Sequence, residues 1–316
     1  MTHLTPEAIQ VLYADASGLS LEQQLAAAYE RNVASGLVET TVTESLASVA
    51  AAAVAQAQAT APETPRPTAN LDPTFQSVAE TALDSTATLL ERIGITTPTL
   101  AEFASSGDVA FGLLSRGYEA MQETNLEPQV VFSPVLSLEQ WRDLYQRLQA
   151  DSSVNHDGRI KNGGLYIDDN IRSNWEGLQP SEDDTVEING LSWQVLVLPG
   201  TNKPPQVNIV HNGHDVNGLN GALAEQATDT GVPEDELTPD KIHPTIAAYL
   251  TAQASKLQSG ESPLDNATYT WLSGTFQDAS QVPDGYWDPG NGRVGLLWVG
   301  VGILNGALGV RLPVWG

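Results

Sequence analysis

The chain has 316 residues, with 39 Asp and Glu against 14 Lys and Arg and a formal net charge of -25. This length suffices for one sizeable core or for two domains, and the negative charge argues against binding to nucleic acid or to an anionic membrane surface. Because the chain has no cysteine, a disulfide scaffold, a thiolate metal site and a cysteine nucleophile are excluded.

The first 61 residues are predicted to form a helical arm. Apolar spacing predicts two successive helices within 5–29 and a third over 38–59, and this third helix is rich in alanine. Its apolar stripe is made of small side chains, which suit tight helix packing within the domain or between subunits of a homo-oligomer.

Residues 62–73 contain four prolines and no apolar period, which predicts a semi-rigid linker. Helical periodicity returns at 75–93 and at 108–121, so residues 74–127 are predicted to be a second helical region. Neither stretch carries a polar cluster typical of a catalytic site.

After Pro128 the pattern becomes a mixture of strands and helices. Helices are predicted after the capping residue Ser137 and over 243–257. Short apolar or alternating runs predict strands. These runs lie at 129–135, 163–169, 191–199, 204–211, 269–276, 295–301 and 307–315. The stretch rich in Gly, Pro and Asp at 283–292 is predicted to be a loop.

Four of the five histidines are candidates for metal or acid–base chemistry. His211 and His214 are three residues apart and Asp215 follows, so two imidazoles and a carboxylate could surround a divalent ion. The alternative is that both are hydrogen-bonding turn residues at a strand end, and this interpretation is preferred. His156 is read as a turn residue and His243 as a residue at a helix start. No metal and no cofactor are predicted.

Other catalytic motifs are lacking in the sequence. There is no G-x-S-x-G nucleophile elbow and no phosphate-binding loop. The acidic pairs at 168–169 and 183–184 are interpreted as solvated charge, because nothing in the sequence would raise one pKa selectively. An enzymatic activity is therefore not predicted. No signal peptide or 18-residue apolar run is seen, so the expected location is the cytoplasm or a virion, without membrane insertion.

The last segment differs in composition from the rest of the chain. No acidic residue occurs from Pro289 to Gly316, and residues 295–307 read GLLWVGVGILNGA. One interpretation is a buried closing hairpin of the core. The other is a binding surface, because glycine is a poor choice for core strands. In that case alternation predicts that Leu296 and Trp298 are framework residues, while the residues between and after them face a pocket.

Three phrases near the C-terminus carry a resemblance to a known family. TYTWLSGTF, WDPGNG and RVGLLW followed by LGVRLPVWG, all within 268–316, resemble the C-type-lectin-fold variable proteins of diversity-generating retroelements. The resemblance implies an α+β C-type-lectin-like domain over 128–316. The same fold occurs in formylglycine-generating enzymes, but their activity depends on cysteines, and this chain has none.

The family implies that a reverse transcriptase rewrites the 3′ end of the gene at adenines. Asn-type codons can then become Gly, Ala, Val, Leu, Ile, Asn or Asp, and every residue from Gly295 to Ala307 except Trp298 belongs to that set. The resemblance thus marks Trp298 as invariant and makes 308–311 a fixed closing strand, with Arg311 holding loops by hydrogen bonds. The variable, ligand-facing candidates are Tyr286, Asp288, Asn291, Gly295, Leu297, Val299, Val301, Ile303, Leu304, Asn305 and Ala307.

The expected function is non-catalytic recognition of a macromolecular ligand, and a protein ligand is favoured. An apolar pocket with Trp287 or Tyr286 at its rim suits a protein surface, and the calcium-and-sugar motifs of ordinary C-type lectins are absent. The alternative is a virion or surface structural protein whose C-terminal strands pack against a neighbouring subunit.

Overall fold

The structure is a computed structural model that describes residues 71–106, 111–203, 206–207, 216–237, 242–274, 281–300 and 306–315. The chain divides into two compact units, Met1–Pro65 and Arg66–Gly316. All described residues belong to the second unit. The helices predicted at 5–29 and 38–59 lie outside the described residues.

The described part of the chain has helices and strands throughout, so the α+β class is confirmed. The helices are α1 Pro73–Glu91, α2 Leu100–Ser106, α3 Phe111–Glu123, α4 Leu138–Ala150, α5 Asp169–Ser173, α6 Val216–Thr230 and α7 Ile246–Ser259, with 3₁₀ turns at Trp175–Leu178, Glu182–Asp184 and Glu234–Glu236. The strands are β1 Pro128–Pro134, β2 Leu165–Ile167, β3 Val186–Ile188, β4 Leu191–Pro199, β5 Gln206–Val207, β6 Tyr269–Trp271, β7 Gln281–Asp288, β8 Arg293–Gly300, β9 Leu308–Val310 and β10 Val314–Trp315.

Capping residues explain where several helices begin. Ser137 and Gln140 form a capping box at the start of α4, as the sequence predicts for Ser137. Asp72 accepts hydrogen bonds from two backbone amides at the start of α1, and Thr245 caps α7. Helix α7 therefore begins three residues after His243, slightly later than predicted.

The strands form two sheets. In the first, β4 lies between β1 and β10, and β3 also pairs with β4. In the second, the order is β2, β8, β7, β6, β9, β5. All pairs in the first sheet are antiparallel, whereas β2 pairs with β8, and β6 with β9, in parallel. Most of β4 is buried, as its nearly all-apolar sequence predicts.

Helix α7 lies between the two sheets. On one side Thr251 is within 3.0 Å of Ser133 in β1. On the other side the ring of Tyr249 packs against Gly285 in β7, where an added Cβ would lie 2.3 Å from the ring. Tyr249 and most other residues of α7 are buried, because the helix has a sheet on each side.

The predicted helical region at 74–127 and the predicted domain at 128–316 share one core. Phe75 and Leu89 in α1 belong to the same buried cluster as Trp193 in β4 and Trp287 in β7. Thr86 also donates a hydrogen bond to the carbonyl of Phe132 in β1. The boundary drawn at 127/128 therefore does not separate two cores.

The predicted loop at 283–292 is wrong over its first half. Residues 281–288 form β7, which is hydrogen-bonded to β8 and β6, and only the residues after Asp288 turn. Pro and Gly are typical of turns, but Gly285 is needed here to make room for Tyr249. Helix α6 was not predicted at all. None of the described helices is long and apolar enough to cross a membrane.

Candidate functional site

The β7–β8 hairpin has two chemically different faces. Residues paired across antiparallel strands point to the same side. Gly285, Trp287, Val294 and Leu296 are buried on the side of α7 and the main core. The opposite side carries Asp284, Tyr286 and Asp288 on β7 and Arg293, Gly295, Leu297 and Val299 on β8. This second side contains most of the described site candidates.

Three half-buried tyrosines form a row across the second side of the sheet. Tyr166 in β2 pairs with Gly295 in β8, and Gly295 pairs with Tyr286 in β7. The ring of Tyr286 then contacts that of Tyr269 in β6, with centroids 5.0 Å apart. We call this surface the tyrosine face and define it by Tyr166, Tyr269, Tyr286, Asp288, Arg293 and Leu297.

Gly295 leaves the space that the Tyr286 ring occupies in this row. A Cβ at Gly295 would lie 2.1 Å from Cε1 of Tyr286, so the Tyr286 ring lies over the bare backbone of β8. Gly295 itself is buried. It shapes the tyrosine face but offers no side chain to a ligand, in contrast to its predicted role as a ligand-facing residue.

Charged groups lie at one end of the row. The guanidinium of Arg293 is stacked over Tyr166, with its central carbon 4.5 Å from the ring centroid. Arg293 also lies 3.9 Å from a carboxylate oxygen of Asp288. The side chain and backbone amide of Asn291 donate hydrogen bonds to Asp288 at 2.7 and 3.0 Å. These bonds lower the pKa of Asp288, so its carboxylate stays charged.

Asp284 lies beside the tyrosine face but is buried. It is 2% exposed, and its Oδ1 has no hydrogen-bond partner among the described residues. Burial raises its pKa to about 7, against a smaller lowering by the Leu297 backbone amide. The negative charge of Asp265 adds a further small increase. Near neutral pH this carboxyl group is thus partly protonated.

The other described site candidates flank the tyrosine face. Leu297 is half-buried on it, and Val299 is half-buried where the sheet meets a second apolar cluster that includes Val282 and Leu308. Ala307 accepts a hydrogen bond from the backbone of Tyr269 through its carbonyl. Four further candidates, Val301, Ile303, Leu304 and Asn305, lie outside the described residues.

Two tryptophan assignments need correction. Trp298, predicted as a framework residue, is 38% exposed and is the one exposed large apolar side chain among the described residues. It lies at the end of β8 beside Pro283, on the side of the sheet opposite the tyrosine face. Trp287, predicted at a pocket rim, is buried in the main core. Alternation along β8 places Trp298 on the same side as Leu296 but does not tell how far the core extends along the strand, and Trp287 lay in a stretch predicted to be a loop.

Arg311 holds loops together, as predicted. Its guanidinium donates to the carbonyls of Gly200 and Lys203 at 2.9 and 2.6 Å. It also forms a buried ion pair with Asp265 at 2.6 Å. Asp265 in turn accepts hydrogen bonds from Thr270 and Tyr249. This buried network fixes the strands on which the tyrosine face stands.

The two histidines whose spacing suggests metal ligands cannot be placed relative to the tyrosine face. His211 and His214 lie outside the described residues, and His156 is an exposed turn residue as predicted. Within the described ranges, no group of three or more His, Asp or Glu residues could hold a metal ion.

Sequence reasoning missed three members of the tyrosine face. Tyr166, Tyr269 and Arg293 belong to three separate strands, β2, β6 and β8, and only the strand order brings them together. The alternation of Tyr269 with Trp271 and of Arg293 with Gly295 was visible in the sequence, but it does not identify the neighbouring strand.

Comparison with known protein families, with curated proteins and with solved structures finds no match to this chain.

Proposed function

We propose that this chain is a non-catalytic recognition protein that binds a protein ligand on the tyrosine face. The observation that carries the proposal is the row of Tyr166, Tyr286 and Tyr269, half-buried on one side of a sheet whose other side is packed in the core. Tyrosine gives a large amphipathic contact area at low entropic cost, which is why it is frequent in binding surfaces.

Rigid support favours this use of the surface. The rings project from strands rather than loops, and the hairpin tip is held in place because the backbone N–H of Lys161 donates a hydrogen bond to the carbonyl of Gly292 at 2.7 Å. Asn162 donates to the carbonyl of Asn291 at 3.0 Å. A surface that is ordered before binding loses less conformational entropy when the ligand docks.

The proposal includes a C-type-lectin-like domain whose C-terminal segment is diversified by a retroelement. In support of it, Leu297 and Val299 share a side with Tyr286, whereas Leu296 packs in the core. Exchange at Leu297 would change the surface with little effect on the main core, whereas Val299 also packs against the second apolar cluster. Sequencing the gene's surroundings tests this part: we expect a near-identical repeat that differs at adenines, beside a reverse transcriptase gene.

Binding is tested by selecting a random peptide display library on the immobilised full-length chain. Enriched peptides are then measured on Leu297→Asp and on Trp298→Asp, which add the same charge to neighbouring residues on opposite sides of β8. We expect Leu297→Asp to weaken binding at least about tenfold and Trp298→Asp to leave it nearly unchanged. Equal affinity for both variants, or a loss confined to Trp298→Asp, would contradict the proposal.

A further inference from the structure

We infer that the tyrosine face binds an arginine-bearing segment of its partner, with guanidinium groups stacked on the rings of Tyr269 and Tyr286. This inference rests on the proposed function and names the chemistry of the ligand that the same surface takes.

One stacked arginine–tyrosine pair is already present within the chain, at one end of the row. Arg293 stacks on Tyr166 with its guanidinium carbon 4.5 Å from the ring centroid. A planar guanidinium can cover an aromatic ring while its N–H groups stay available for hydrogen bonds at the edge. A ligand arginine would repeat the same arrangement farther along the row.

The other two rings offer the same kind of platform. Tyr269 and Tyr286 contact each other at 5.0 Å with an angle of 36° between their planes, and both are half-buried. Tyr269 also packs against the second apolar cluster, which includes Val282 and Leu308. The ring of Tyr286 lies over Gly295, so it covers β8 instead of standing away from the sheet. The platform therefore depends on glycine at position 295.

Charge favours a basic ligand. The chain carries a net charge of -25, which attracts cationic segments over long distances. The ionised carboxylate of Asp288 lies at the end of the row, with its pKa lowered by Asn291. Lysine would share the long-range attraction, but its compact and strongly hydrated ammonium lacks the planar stacking of arginine. Guanidinium also pairs bidentately with carboxylates, so a preference for arginine over lysine reports on the rings only where it is lost when a ring is removed.

The experiment compares hexa-arginine and hexa-lysine peptides, titrated into the full-length chain at about 0.15 M salt. We expect hexa-arginine to bind at least about threefold more tightly, since each stacked guanidinium adds a contact that ammonium makes less well. Equal affinity for the two peptides would overturn the inference.

Charge-preserving variants locate the contact. Tyr286→Leu removes one ring, and Gly295→Val lifts the Tyr286 ring from the strand. Both should bring the hexa-arginine affinity close to that of hexa-lysine, while Tyr286→Phe, which keeps the ring, should retain the preference. Near-ultraviolet circular dichroism checks that each variant is folded. A preference for hexa-arginine that survives both Tyr286→Leu and Gly295→Val would also overturn the inference.

The display selection separates this inference from the proposed function. If selected peptides depend on Leu297 but contain no excess of arginine, the face is a recognition surface and the arginine assignment is wrong. If no selected peptide depends on Leu297, the proposed function itself fails.

Discussion

Asp284 is the residue whose environment differs most from that of an ordinary surface carboxylate. Its neighbours include Val282 on the same strand and Leu297 across the hairpin on β8. Trp271 lies beside it on β6, the strand that pairs with the other edge of β7. Water is excluded from it, and its Oδ1 has no described partner. The buried Asp265 differs, because the guanidinium of Arg311 compensates its charge. The two aspartates therefore contribute to stability in different ways.

The pH dependence of stability should reveal Asp284. Its pKa rises from 3.8 in the unfolded chain to about 7 in the folded protein. Between these values the unfolded chain releases the proton while the folded chain keeps it. Its contribution to stability is therefore full below pH 3.8 and is lost as the pH rises to about 7. The loss amounts to about 4 kcal/mol.

Denaturant unfolding of Asp284→Asn and wild type at several pH values measures this effect. We expect the variant to gain stability relative to wild type as the pH rises from about 4 to 7, with no further gain above that range. Asp235→Asn, at an exposed position, is the control and should show no such trend. A constant difference between Asp284→Asn and wild type would contradict a neutral buried carboxyl.

At the scale of elements, the β7–β8 hairpin lies between a buried tyrosine and a half-buried one. Gly285 faces Tyr249 of helix α7, and Gly295 faces Tyr286 on the other side of the same hairpin. Tyr249 is fully buried and hydrogen-bonded to Asp265 and Gln253. Tyr286 is half-buried, so displacing its ring towards solvent would lose less burial than displacing that of Tyr249. Similar steric contacts should therefore have unequal consequences.

Paired alanine substitutions test this difference. A Cβ would lie 2.3 Å from the Tyr249 ring in Gly285→Ala and 2.1 Å from the Tyr286 ring in Gly295→Ala. We expect Gly285→Ala to cost about 1–3 kcal/mol or more in the free energy of unfolding. Gly295→Ala should cost clearly less, because Tyr286 can move away. Thermal and denaturant unfolding measure both, and equal losses would show that Tyr286 is as constrained as Tyr249.

At the scale of the whole molecule, most of the described helices and strands from α1 to β10 contribute to one main buried cluster, so we expect them to unfold together. Helix α1 packs on β1 and α7, and its Phe75 contacts the rings of Phe111 and Tyr118. These contacts join one cluster that reaches Trp287 in the second sheet. A helical region that contributes so much of the shared core is part of the domain's stability and not a separate module.

Cooperative unfolding can be tested by fluorescence. All seven tryptophans lie at or after residue 141, so their fluorescence reports on the part of the chain that follows helices α1 to α3. Phe75→Ala removes a fully buried ring and should cost about 3–5 kcal/mol. Tryptophan fluorescence and far-ultraviolet circular dichroism should then show the same shift in the unfolding midpoint. Gln76→Ala, at the exposed neighbouring position, is the control. An unchanged fluorescence midpoint in Phe75→Ala would mean that the helices unfold independently.

Local patterns in the sequence determined most elements with a strong period or a clear cap. The capping box at Ser137 and the apolar run of β4 carry their own signals, since hydrogen-bonding and apolar groups within a few residues decide them. Strand β7 and helix α6 were missed. Pro283 and Gly285 mimic a turn signal, and α6 has only a weak apolar stripe in its sequence.

Alternation alone determined that Gly295, Leu297 and Val299 share one side of a strand, because side chains in a strand point to opposite faces in turn. Only the tertiary structure decided what lies next to them. The strand order brings Tyr166 and Tyr269 to Tyr286 from distant parts of the chain, and the position of α7 decides that Gly285 is covered. The pKa of Asp284 likewise depends on packing by other strands, because desolvation is set by neighbours in space and not by neighbours in sequence.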